Sequence, residues 1–303
     1  MTKKKDIALV LSSGGARGFS HIGVINSLEK HGYNITSIAG ASMGALVGGL
    51  YATGQLKKFE EWSRNLDKRT VLKLVDITLS STGLVKGEKL INELENLIPE
   101  QNIEDLEIPY CAVATDILNE KEIIFKSGNL YNAIRASIAI PTVLKPFKIG
   151  DIQLIDGGVV NPIPSNRIKR HDGDLLFVSN VNGRNPVETP VETYKEQIGD
   201  NPPGPVDMEI EEQDKQFFTR VKDQLSKMMS STNQSRIGYF NLVNKSTSLM
   251  LQTISEHSLK ETPPDLLFNI PRKKFGTFDF DKASDIIDFG ESFTDDELKD
   301  FKD

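Results

Sequence analysis

An α/β fold on a mostly parallel sheet is what this sequence predicts, from three observations. Short β-branched runs alternate with helical patterns over the first 180 residues, the signature of strand-helix-strand crossover units. The helical patterns stop at clear breakers. The composition is that of an ordinary globular chain. Strands are expected over 6–12, 35–39, 108–115, 121–126, 152–155, 174–179 and 266–270. Between the first two, Ile22, Ile25 and Leu28 recur at helical spacing until Gly32, and Leu90, Ile91, Leu94, Leu97 and Ile98 mark a second helix ended by Pro99. Helices between strands put cover on the sheet.

Hydrophobic residues make up 38% and charged residues 26% of the 303, with 23 Gly and 14 Pro, which excludes disordered and fibrous classes. One domain over 1–303, with insertions, is the simplest organisation. Cys111 is the single cysteine and lies in an apolar run, so no intrachain disulfide forms and an inert buried thiol in a reducing, cytoplasmic compartment is expected. The apolar run after Lys3, Lys4 and Lys5 is too short for a signal peptide, and no stretch of about 18 apolar residues occurs, so membrane contact is expected to be peripheral.

The net charge of -7 is unevenly spread. Residues 183–214 hold nine acids against Arg184 and Lys195, and residues 279–303 hold ten against Lys282, Lys299 and Lys302, which leaves the body mildly basic. Such a body suits anionic lipid headgroups, although an evenly solvated surface explains it too. No basic stretch carries interleaved aromatics, so nucleic acid is not an expected partner. The 183–214 stretch, with five prolines and no apolar period, reads as a mobile surface loop. After it, 215–303 reads as helical with one returning strand. Phe217, Val221, Leu225 and Met228 fall on one helical face there, which is either core packing or an apolar face offered to acyl chains or a membrane.

Gly40-Ala41-Ser42-Met43-Gly44 follows one expected strand and opens a helix whose Leu46, Val47, Leu50 and Tyr51 are expected to face inward. This is the setting of a nucleophile elbow, a strained turn that lifts a serine hydroxyl above the sheet edge. The helix start adds free N–H groups and a positive dipole end. Ser13-Gly14-Gly15-Ala16-Arg17-Gly18 ends the first strand and starts another helix, and its backbone N–H groups suit either a phosphate or an oxyanion. It is neither G-x-G-x-x-G nor a Walker loop. Asp156-Gly157-Gly158 follows the 152–155 strand, and in a parallel sheet carboxyl ends gather along one edge, where all three motifs meet.

Taken in order, these motifs resemble those of the patatin-like phospholipase family. The resemblance covers about residues 6–182, with Ser13–Gly18 similar to the family's glycine-rich loop, Gly40–Gly44 to its elbow and Asp156–Gly158 to its Asp-Gly motif. It implies a three-layer α/β/α fold, a catalytic dyad of Ser42 and Asp156, and an oxyanion hole from the Gly14, Gly15, Ala16 and Arg17 loop. It also implies hydrolysis of carboxylic esters of phospholipids or lysophospholipids; with no His/Cys cluster or nucleotide fingerprint in the sequence, no metal or organic cofactor is expected. One departure is Ser13, where the family begins its loop with glycine; a required positive φ would strain it. The 129–146 segment also resembles the family's approach to the aspartate, with structural roles expected.

Serine hydroxyl needs a base, and a free aspartate, with a pKa of about 3.9, is a weak one. A Ser-His-Asp triad using His171 or His257 is the competing assignment, because the chain order matches that of α/β-hydrolases. His21 is expected to be packed. A histidine base loses activity on acidification near ~6.5, whereas aspartate holds to lower pH unless burial raises it. Acyl transfer through the same acyl-enzyme and a silent lipid-binding scaffold are the other readings.

Overall fold

The computed structural model describes residues 5–74, 88–141, 143–184 and 235–301. It divides into two compact units, 1–183 with 251–303, and 184–250. The first holds an eight-stranded sheet of β1 (Lys5–Leu11), β2 (Tyr33–Ala41), β3 (Tyr110–Asp116), β4 (Lys121–Phe125), β5 (Phe147–Ile149), β6 (Ile152–Asp156), β7 (Leu175–Gly183) and β8 (Leu266–Pro271). Of the second, residues 184 and 235–250 are described, the latter being the first part of helix α7 (Ser235–Glu261). The proline-rich stretch beyond Arg184 and the Phe217, Val221, Leu225, Met228 stripe lie outside the described residues.

The strand order is β5-β6-β3-β2-β1-β7-β8, with β4 on the remaining edge of β3. Pairs β1–β2, β1–β7, β2–β3 and β7–β8 are parallel, whereas β4, β5 and β6 enter antiparallel. The central strand β1 is buried on both faces, as parallel strands under helices are. Ile7, Leu9 and Leu11 face a cluster shared with α1 (Ser20–Lys30), α2 (Met43–Ala52) and α8 (Ala283–Asp300), while Ala8 and Val10 face Ile163, Leu176 and Val178, with Leu259 of α7 packed against them. Two helical layers with a sheet between them follow from that alternation.

The helices also include α3 (Leu56–Arg64), α4 (Lys68–Leu74), α5 (Glu88–Leu97) and α6 (Leu130–Ser137). Helix α1 stops where Gly32 takes a φ of 82°, and α5 stops two residues before Pro99. Asn129 caps α6, its side chain accepting from the Asn132 amide. Every expected strand is present within four residues at each end; β5 was not expected, being three residues long with two exposed. Among the described residues no helix is long and apolar enough to cross a membrane.

Candidate active site

Strand β2 ends at Ala41 and α2 begins at Met43, which leaves Ser42 alone to turn the chain. Its φ of 53° and ψ of −124° are sparsely populated for a non-glycine residue and cost on the order of 1–3 kcal/mol. The turn is this tight because the elbow lies against β1: a Cβ on Gly44 would fall 2.2 Å from the Leu11 carbonyl oxygen. The Ser42 amide donates to Ser137 Oγ at 2.9 Å. Leu46, Val47 and Leu50 are buried as expected, but Tyr51 is half-buried and its hydroxyl donates to Glu29 Oε1. Tyr51 sits where α2 meets solvent, so its polar end stays wet.

Strand β3 measures the distance between the two key residues. Its one edge is taken by β4, so β2 and β6 must share the other, and they do so in succession: Ala41 pairs with Val113 and Asp156 with Ala114. The ends of β2 and β6 therefore abut one residue apart along β3. Asp156 reaches Ser42 for this reason and not because carboxyl ends of parallel strands gather on one edge, since β6 runs antiparallel to β3. The Ser42 hydroxyl donates to Asp156 Oδ2 in a short hydrogen bond, with Ser42 2% and Asp156 6% exposed.

The Gly158 amide donates to Asp156 Oδ1 at 2.7 Å, Thr115 Oγ1 donates to the Asp156 carbonyl at 2.9 Å, and the Asp156 amide donates to the Ala139 carbonyl at 3.0 Å. Burial pushes the Asp156 carboxyl up to about 6, against the pull of the Ser42 and Gly158 hydrogen bonds. Desolvation thus makes it a far better base than a free aspartate. It also removes the pH profile as a way to tell aspartate from histidine.

The loop after β1 packs against residues beside both partners. A Cβ on Gly158 would lie 2.6 Å from Ser13 Oγ, and one on Gly18 2.4 Å from the Met43 side chain. The left-handed φ of the loop, 57°, falls on Gly15, and Ser13 does not take a positive φ, so the serine is unstrained there. The four residues expected to supply donors do not act alike. The Ala16 amide donates to the Thr277 carbonyl at 2.8 Å and is not available to an oxyanion. The Arg17 guanidinium donates to Thr277 Oγ1 and Asn182 Oδ1, tying the loop to the chain after β8 and to β7. Among the described residues the amides of Gly14 and Gly15 have no hydrogen-bond partner.

No histidine hydrogen bonds to Ser42 or Asp156. His21 is buried between the Ser12 carbonyl and Ser179 Oγ, and burial lowers its pKa to about 4. His171 is exposed, and the His257 side chain, 71% exposed, lies 3.6 Å from Glu261. The single cysteine is buried, and burial pushes the Cys111 thiol up to about 12. Among the described residues no group of three or more His, Cys, Asp or Glu side chains is placed to hold a metal ion. Thr115 and Thr277 were not singled out from the sequence, and Ser137 and Ala139 fall in the 129–146 segment, where structural roles were expected but not these bonds. Each acts through a long-range contact that leaves no local pattern.

Comparison with known proteins gives consistent matches. The patatin-like phospholipase family profile matches residues 9–166, which contain Ser42 and Asp156. An uncharacterized NTE family protein of Mycobacterium tuberculosis is 46% identical over 177 residues, covering 58% of this chain and 49% of its own. Patatin-like phospholipase domain-containing protein 6 of Homo sapiens is 32% identical over 201 residues, 63% of this chain and 14% of that one. Lysophospholipase NTE1 of Lodderomyces elongisporus is 32% identical over 193 residues, covering 60% and 13%. This chain therefore spans about half the length of the first relative and a small fraction of the other two. With both the elbow and the aspartate inside the matched span, the chain belongs to the patatin-like phospholipase family.

Proposed function

We propose that this chain is a serine lipid acyl hydrolase that cleaves carboxylic ester bonds of phospholipids or lysophospholipids through Ser42 and Asp156. The buried hydrogen bond from Ser42 Oγ to a carboxylate raised to about 6 carries the reading. Asp156 takes the serine proton as Oγ attacks the ester carbonyl carbon. The tetrahedral oxyanion is met by the amides of Gly14 and Gly15 and by the positive end of α2, where one donor is worth about 3 kcal/mol. Asp156 returns the proton to the leaving alcohol as the carbon–oxygen bond breaks. Water then repeats the sequence on the acyl-serine, releasing the fatty acid. Kinship with a family that includes proteins named lysophospholipases supports the substrate class.

A panel of phospholipids and lysophospholipids, assayed for released fatty acid with wild type, Ser42→Ala and Asp156→Asn, tests this. Release by wild type alone is expected. Fatty-acid release that survives in Ser42→Ala ends the proposal, and acyl groups recovered on an added alcohol in place of water would redefine the enzyme as a transferase.

A further inference from the structure

The two reacting side chains are held from behind by one short stretch of chain. The Ser42 amide, at the strained corner of the elbow, donates to Ser137 Oγ at 2.9 Å, and both residues are buried. Two residues beyond Ser137, the Ala139 carbonyl accepts the Asp156 amide at 3.0 Å. The stretch is fixed in turn, since the Ile138 amide donates to the Ile134 carbonyl and the Ala139 amide to the Ala136 carbonyl. As the residue before α2, Ser42 has no acceptor for its amide within that helix, and a buried amide must find one elsewhere. Ser137 supplies it.

We propose that Ser137 is a positioning residue: by accepting the Ser42 amide it sets the backbone of the elbow, so that the serine hydroxyl meets a carboxylate whose own backbone is tied to Ala139. The end of α6 and the two residues after it thereby act as a common brace for both partners. Ser137 bonds to the Ser42 backbone amide and to neither the Ser42 hydroxyl nor the Asp156 carboxylate, so its effect is on geometry, where a misplacement of about 1 Å costs on the order of 100-fold in rate. This inference rests on the reading of Ser42 as the nucleophile.

The test compares Ser137→Ala, Ser137→Cys and Ser137→Thr for hydrolysis of p-nitrophenyl butyrate and for labelling by a fluorophosphonate. Ser137→Ala is expected to lower kcat by about 10- to 100-fold with KM changed less than about threefold, and to slow labelling by the same factor in a folded protein. Ser137→Thr keeps an oxygen acceptor and is expected to recover most of the rate. Ser137→Cys, near-isosteric but a weak acceptor, is expected to fall between the two and guards against an alanine variant that does not fold. Wild-type kcat in a folded Ala or Cys variant overturns the proposal. So does a Thr variant as slow as the Ala one, or loss of the fold in both Ala and Cys. Ser42→Ala, measured alongside, separates the two readings: if it is active the nucleophile assignment fails, and if it is inert beside a fully active Ser137→Ala only the brace fails.

Discussion

Asp116 and Asp156 are buried carboxylates on neighbouring strands of one sheet, and their surroundings drive them in opposite directions. Asp116, at the end of β3, accepts from the Asn119 side chain at 2.7 Å and from the amides of Leu118 and Asn119, and these bonds hold it below the usual carboxylate range. Among the described residues Asp156 accepts only from the Gly158 amide and the Ser42 hydroxyl, and burial lifts it to about 6. Both side chains are screened from solvent, but Asp156 lies deep in the protein and Asp116 close to its surface. Depth and donors act together: the shallow carboxylate, held by three donors, staples a turn, and the deep one is left under-solvated and therefore basic.

The largest expected effect breaks that pair apart by activity. Asp156→Asn is expected to lower kcat/KM for ester hydrolysis by about 10⁴-fold, as removal of a reacting group in a serine hydrolase does. Asp116→Asn, by contrast, is expected to stay within about threefold of wild type and to lose a few degrees of melting temperature.

A second prediction sharpens the comparison by pH. If Asp156 must be ionised, kcat/KM falls about tenfold per pH unit below about 6, measured in initial-rate assays. The same shift has a cost in stability. With a folded pKa of about 6 against 3.8 unfolded, the native state binds the proton more tightly, so stability is lost as pH rises through that window. Asp156→Asn is therefore expected to gain up to about 3 kcal/mol over wild type at pH 8 and to lose that advantage by pH 4, read from urea melts. His21 acts in the opposite sense, because a histidine held near 4 in the fold costs stability as pH falls from 6.5. The two trends offset each other in wild type, so the difference between variant and wild type is the quantity to measure.

The smallest effect concerns the two non-glycine residues with positive φ among the described residues, Ser42 and Glu120, both at 53°. Glu120 lies on an exposed turn between β3 and β4, where the strain serves no bond to the site. Glu120→Gly is expected to stabilise by up to about 1 kcal/mol with activity unchanged, as seen in thermal melts. A loss of activity would show that this turn matters to the site.

Much of this was legible from the sequence because it is written locally. Alternating β-branched runs, the Gly32 and Pro99 stops and the Gly-x-Ser-x-Gly turn each lie within a few residues, and each appears as expected. Unanticipated features join distant segments. The Arg17–Thr277 bond spans 260 residues and the Ser42–Ser137 bond 95.

By itself, then, the sequence determined the sheet, its helical cover and the three motifs, since backbone propensity and apolar period act over one element. Only the tertiary structure decided that β6 enters antiparallel and abuts β2 along one edge of β3, that Ala16 gives its amide to Thr277, and that Asp156 is basic. Strand pairing and desolvation depend on neighbours that folding alone supplies, and no local window of residues carries that information.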